Sequence, residues 1–242
     1  MALAQARVIR GAVATLGVSE RVSFLRRTYA HLGVALLAFV ALTAGIMQTE
    51  ASERISFNML SGSGYSWLLV MGLFMFTGYV AERLARSESS VALQYVGLGI
   101  GVASWSVILQ PMLWMAYYTS NTTADFQSLV LNASLITGAI FVGLTLTVFV
   151  TKKDFSFLRG ALMIASFASL GIIVASIIFG FQLGALFSGL MIMLMAGYIL
   201  FQTSTIMATF PPRAHVAAAL MLFSTIATLF WYVLRLLMEL RR

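Results

Sequence analysis

Glu82, Asp125, Asp154 and Glu239 are carboxylates close to the apolar runs of this sequence, and each falls at the end of a run or in a loop. A carboxylate in the middle of a membrane segment is the usual mark of a proton relay or a cation site, because burying the charge is costly. No run contains one. The two histidines, His31 and His215, stand alone near the starts of apolar runs and lack the H-E-x-x-H spacing that puts two zinc ligands on one helix face. Each reads as an interfacial residue whose polar tip reaches water. The absence of cysteine removes disulfides, thiolate nucleophiles and thiolate metal sites together. Serine is frequent, so a match such as GFQLGALFSG carries little weight as a nucleophile motif. The chain is therefore expected not to be an enzyme, and no catalytic residue, metal ligand or cofactor is assigned.

One polar cluster remains. The stretch GYILFQTSTIM puts Gln202, Thr203, Ser204 and Thr205 at the end of a long apolar segment. Such a cluster can line a site or simply finish a helix. Thr203 and Thr205 can bond back to their own helix, and the following ATFPPRA must end it, because paired prolines cannot continue a helix.

The elements that position these residues follow from composition. The chain of 242 residues is 60% hydrophobic and 10% charged, with a mean hydropathy of +0.95. Water-soluble domains carry about 25% charge, so this is an integral membrane protein. Apolar stretches near 29–48, 65–80, 91–118, 129–150, 158–179, 183–205 and 215–238 each approach the roughly 20 residues needed to cross a bilayer. Strict two-residue alternation is absent, which argues for helices and against a barrel. The reading is a seven-helix transmembrane bundle over residues 29–242 behind a cytoplasmic tail at 1–28. In the tail, Val8, Ala12, Val13 and Leu16 recur at helical spacing beside Arg7 and Arg10, which suits either a short helix on an anionic membrane face or a flexible segment. Pro111 is expected to kink the third span.

A net charge of +7 would suggest nucleic acid in a soluble protein. Here the basic residues lie between apolar runs, and 11 of the 15 Lys and Arg fall on the side of the N-terminus, which the positive-inside rule makes cytoplasmic. Lys152, Lys153 and Arg159 are placed at the anionic inner leaflet, with Asp154 as a cap for the fifth span. Arg235 and Glu239 are one turn apart and positioned to pair. Trp67, Trp114, Tyr117, Tyr118 and Trp231 fit interfacial belts. Gly97 with Gly101, and Ser134 with Gly138, have the spacing that lets helices approach closely. Asn121 opens an NTT sequon on the outer side, a pattern that also arises by chance.

Four stretches carry a family resemblance: FLRRTYAHL at 24–32, TKKDFSFLRG at 151–160, GYILFQTSTIM at 197–207 and LFWYVLRLL at 229–237. In order and spacing they resemble the Bax inhibitor family, the transmembrane Bax inhibitor motif proteins. ILQPMLWMAYY at 108–118 looks more like the bacterial YccA branch, whose members are associated with the FtsH membrane protease. The resemblance implies six helices around a central C-terminal seventh. In many members it also implies a calcium or proton leak gated by two facing aspartates. One aspartate position, in the sixth helix, is Gln202 here. The other, ten residues before Arg235, is Thr225, with Ser224 beside it. Thr203 and Ser204 would give polar support.

Both carboxylates are thus replaced. Paired carboxylates share a proton and respond to pH, whereas amides and hydroxyls do not. Divalent cations prefer charged oxygens, so calcium binding at Gln202 and Thr225 is expected to be weak or absent. An interhelical hydrogen bond there is the simpler role, worth about 1 kcal/mol in a bilayer. The leading expectation is a non-catalytic modulator or interaction protein of membrane protease or stress regulation, in a bacterial inner membrane. Its partners would be membrane lipids and another membrane protein, an FtsH-type protease by resemblance. Alternatives are a leak channel without the aspartate pair and an accessory subunit of a larger complex.

Overall fold

The computed structural model describes residues 10–62 and 64–241. In lipid each backbone group must be bonded within its own segment, and the described residues accordingly form helices and no strand. The helices are α1 (Val18–Met47), α2 (Glu50–Ser61), α3 (Gly64–Ala85), α4 (Val91–Ile108), α5 (Gln110–Thr119), α6 (Thr123–Thr151), α7 (Arg159–Phe179), α8 (Ala185–Thr209) and α9 (His215–Leu240). Seven segments are long and apolar enough to span a membrane, α4 and α5 together making the third. An odd number of crossings puts the two ends of the chain on opposite faces, called here the N-terminal face and the far face.

The last helix is the axis of the bundle. Of its most apolar stretch 78% is buried, against 33% or less for every other span. α9 packs on α1, α3, α4, α6 and α8. Ala217, Ala218 and Ala219 are all buried, and such small side chains let neighbouring backbones close in where lipid supplies no hydrophobic drive. The same device works between α3 and α4: a Cβ on Gly97 would lie 2.5 Å from the Ala81 carbonyl and the Ala85 amide. Gly101 instead makes room for a side chain, the Leu220 methyl of α9 lying 2.5 Å from where its Cβ would be. Ser134 and Gly138 behave otherwise. Both are exposed, with nothing near Gly138, so their spacing packs no helix of this chain.

α1 begins at Val18, eleven residues ahead of the apolar stretch and inside the 1–28 segment read as a tail. Its 30 residues span about 45 Å, more than the roughly 30 Å hydrocarbon core, so Glu20, Arg21, Arg26 and Arg27 ride on a helical extension beyond the lipid. Ahead of it, Val13–Thr15 is a single 3-10 turn. Ala12 and Val13 are buried, and the Val13 amide donates to the Phe210 carbonyl at 3.0 Å. These residues are docked into the bundle and do not form a helix on a membrane face. Arg7 and Val8 lie outside the described residues.

The third span breaks at Leu109, just before Pro111. Gln110 fills the break. Its amide donates to the carbonyls of Ser106 and Thr43, its oxygen accepts from Ser52 of α2, and Ser52 in turn accepts from the Trp114 indole at 3.0 Å. Trp114 is thus part of a buried network as well as an edge residue, and α2 is pinned to the bundle through a polar contact.

The TKKDFSFLRG turn also has a physical explanation. Lys152 closes α6 in the left-handed region at φ 52°. The Asp154 carboxylate then accepts from the Ser156 amide at 2.8 Å, at the start of the 3-10 turn Ser156–Leu158 that leads into α7; the N-cap positions themselves, Phe155 of the turn and Leu158 of α7, carry no side-chain cap. The Phe155 amide donates to Ser204 of α8 at 3.2 Å.

Candidate functional site

The polar cluster of α8 divides on folding, because consecutive helix residues face different neighbours. Gln202 points toward α9, and the Thr225 hydroxyl donates to its Oε1 at 2.9 Å. Thr225 also reaches the Met221 carbonyl of its own helix at 3.2 Å. Both residues are buried. Thr203 is buried elsewhere, Ser204 holds the Phe155 turn, and Thr205 bonds back to the Phe201 carbonyl. The structure therefore brings Gln202 and Thr225 together and leaves Thr203 and Ser204 apart from them.

The pair faces a cavity of about 310 Å³ among α3, α4, α7, α8 and α9. Ser224 and Thr228 of α9, Ser104 of α4 and Ser166 of α7 add hydroxyls to its wall. Ser166 and Tyr198 share a hydrogen bond of 2.8 Å across it. Glu82 of α3 reaches the same cavity. Its carboxylate is bonded to Arg86 at 2.8 Å on the exposed side, and the Arg86 guanidinium stands 5.0 Å over the Phe210 ring. Glu82 is a site residue that the sequence placed only at a helix end. Its position facing Gln202 depends on where α3 crosses α4 and α9.

A second cavity of about 580 Å³ lies toward the far face. The two share Phe74, Trp105 and Thr228 as wall residues. Phe74 and Trp105 meet edge to face with centroids 4.9 Å apart, so an aromatic partition separates the polar space from the apolar one.

At the N-terminal face the histidines are not alone. The His31 and His215 rings lie 5.0 Å apart. His31 Nδ1–H faces the Arg27 carbonyl at 2.7 Å and its Nε2 meets the Tyr95 hydroxyl at 2.9 Å, so the imidazole links α1, α4 and α9. Among the described residues no three of His, Asp and Glu converge as metal ligands would.

Six apolar spans around a buried seventh, with a hydroxyl-rich cavity where the last two helices meet, define a multi-pass membrane protein. The chain belongs to the Bax inhibitor family: the family model described as Inhibitor of apoptosis-promoting Bax1 matches residues 21–242. Similar proteins include Bax inhibitor 1 of Schizosaccharomyces pombe, 28% identical over 232 residues that cover 93% of this chain and 79% of the relative. The Golgi anti-apoptotic protein of vaccinia virus is 26% identical over 231 residues, covering 93% and 89%. An uncharacterized protein of Pseudomonas aeruginosa is 30% identical over 115 residues, covering 45% and 49%.

Proposed function

We propose that this chain is a non-catalytic modulator that acts by binding another membrane protein, and that it does not work as a calcium-gated or proton-gated pore. The observation that carries this reading is the neutral hydrogen bond from Thr225 to Gln202 in the wall of the polar cavity. Neither group changes charge near neutral pH, and neither offers a divalent cation the charged oxygen it prefers. The names of the two longer matches, Bax inhibitor 1 and Golgi anti-apoptotic protein, describe restraint of another protein or process, which supports the same direction. By resemblance the partner is an FtsH-type membrane protease in a bacterial inner membrane, with the N-terminal face cytoplasmic. The test is purification from native membranes in mild detergent, with each co-purifying protein identified and its molar ratio measured. A partner recovered below one-to-one and lost on dilution fits a modulator. A constant ratio makes the chain an accessory subunit, and a chain that comes away alone sinks both.

A second reading, a cation leak, is favoured by Glu82 on the wall of the same cavity. It predicts ion flux in liposomes that drops at least fivefold in Glu82→Gln. Absence of flux in the wild type rules it out.

A further inference from the structure

The cavity toward the far face is built like an amphiphile site. Its wall holds three of the four tryptophans, Trp67, Trp105 and Trp231, together with Met71, Met112 and Ile173. Charged groups are confined to Arg235 and Glu239, in the last two turns of α9. The wall stays largely apolar from Arg235 down to Thr228, two helical turns or about 10 Å deeper. A slot with an apolar body and polar groups at one end has the form of a ligand pocket, and its volume lies in the usual range of about 300–1,000 Å³.

The surrounding helices indicate what reaches it. α7 rests on α3 and α8, and only 6% of its apolar stretch is buried, against 11% for α3. Ile172 and Phe179 of α7, with Leu69 and Leu73 of α3, are exposed and face hydrocarbon in a spanning helix. Between two such helices the available molecules are lipids.

The polar end is balanced in charge. Arg235 Nε bonds Glu239 Oε1 at 3.0 Å, another Arg235 N–H bonds the Leu183 carbonyl, and Ser188 donates to Glu239 Oε2 at 2.9 Å. A guanidinium has five N–H groups, so donors remain for an anionic oxygen. A paired cation and anion complement a headgroup that carries both signs.

We propose that this cavity binds one zwitterionic glycerophospholipid. One acyl chain lies against the tryptophans and methionines, phosphate oxygens meet Arg235, and the headgroup ammonium meets Glu239.

The test uses tryptophan emission. In a Trp114→Phe background the remaining tryptophans all line the cavity. Phosphatidylcholine with dibrominated acyl chains is titrated into the protein in mixed micelles, and quenching is followed. The expected result is saturable quenching of at least half the emission near one lipid per chain. Ser176→Phe, which fills the slot from the outer helix, should weaken it at least fivefold. Ile164→Phe, on the exposed face of the same helix, should leave it unchanged. Arg235→Gln should weaken it about tenfold, with thermal melting confirming that each variant is folded. Quenching that rises linearly with lipid fraction, or that Ser176→Phe leaves intact, overturns the proposal. So does saturation by dibrominated fatty acid but not by the phospholipid.

Discussion

Gln202 and Thr225 hold each other through groups with no charge state near neutral pH. Gln202→Ala should therefore cost about 1 kcal/mol, the usual worth of an interhelical hydrogen bond in a bilayer, read as a fall of a few degrees in Tm in detergent. The double variant Gln202→Asp with Thr225→Asp reverses the behaviour. Two buried carboxylates in one cavity repel, so their folded-state pKa values rise above the unfolded value near 3.9. The stability gained by holding the proton is complete below that value and is lost as pH rises through the folded pKa. Measured against the wild type at each pH, Tm of the double variant should fall between acid and neutral pH; a difference that does not change with pH would refute the argument. The two positions could be picked out in the sequence only through the family resemblance, which implies a site at Gln202 and another ten residues before Arg235, at Thr225. Glu82 was not legible. Its entry into the same cavity is decided by the angle at which α3 crosses its neighbours, which hydropathy does not encode. The pairing of His31 with His215, 184 residues apart in the chain, was hidden for the same reason.

Among the elements, the seven spans were legible because lipid permits an apolar run of about 20 residues almost nothing but helix. Two features escaped. α1 starts at Val18 because charged residues extend a helix beyond the bilayer as readily as they end an apolar run. α2 has no apolar stretch to announce it: its buried residues are Ser52 and Ser56, and it is held by Gln110. Gln110→Leu should leave the carbonyls of Thr43 and Ser106 and the Ser52 hydroxyl without their donor or acceptor, at a cost of about 1–3 kcal/mol. Hydrogen exchange should then accelerate over Glu50–Ser61 and change little in α6. Between α3 and α4, Gly97→Leu forces side-chain atoms into backbone only 2.5 Å from the first carbon. It should cost about 3 kcal/mol or more and lower the yield of folded protein, whereas Gly138→Leu, with open space around it, should be tolerated.

For the whole molecule, seven crossings imply that Lys153 and Arg241 lie on opposite faces of the membrane. The chain has no cysteine, so Lys153→Cys and Arg241→Cys each introduce a single thiol. In sealed vesicles a membrane-impermeant maleimide should label one of the two and spare the other; labelling of both, or of neither, contradicts the topology. Which one reacts in right-side-out vesicles also decides the orientation expected from the basic residues. The backbone bond from Val13 to Phe210 adds a dimension of time. Its two ends are separated by 197 residues, 210 minus 13, and at about 5–20 residues per second of synthesis the first waits roughly 10–40 s for the second to be made. Until the sixth span has left the ribosome, the leading segment has no partner, and the nascent bundle stays open on the face where that segment will eventually dock.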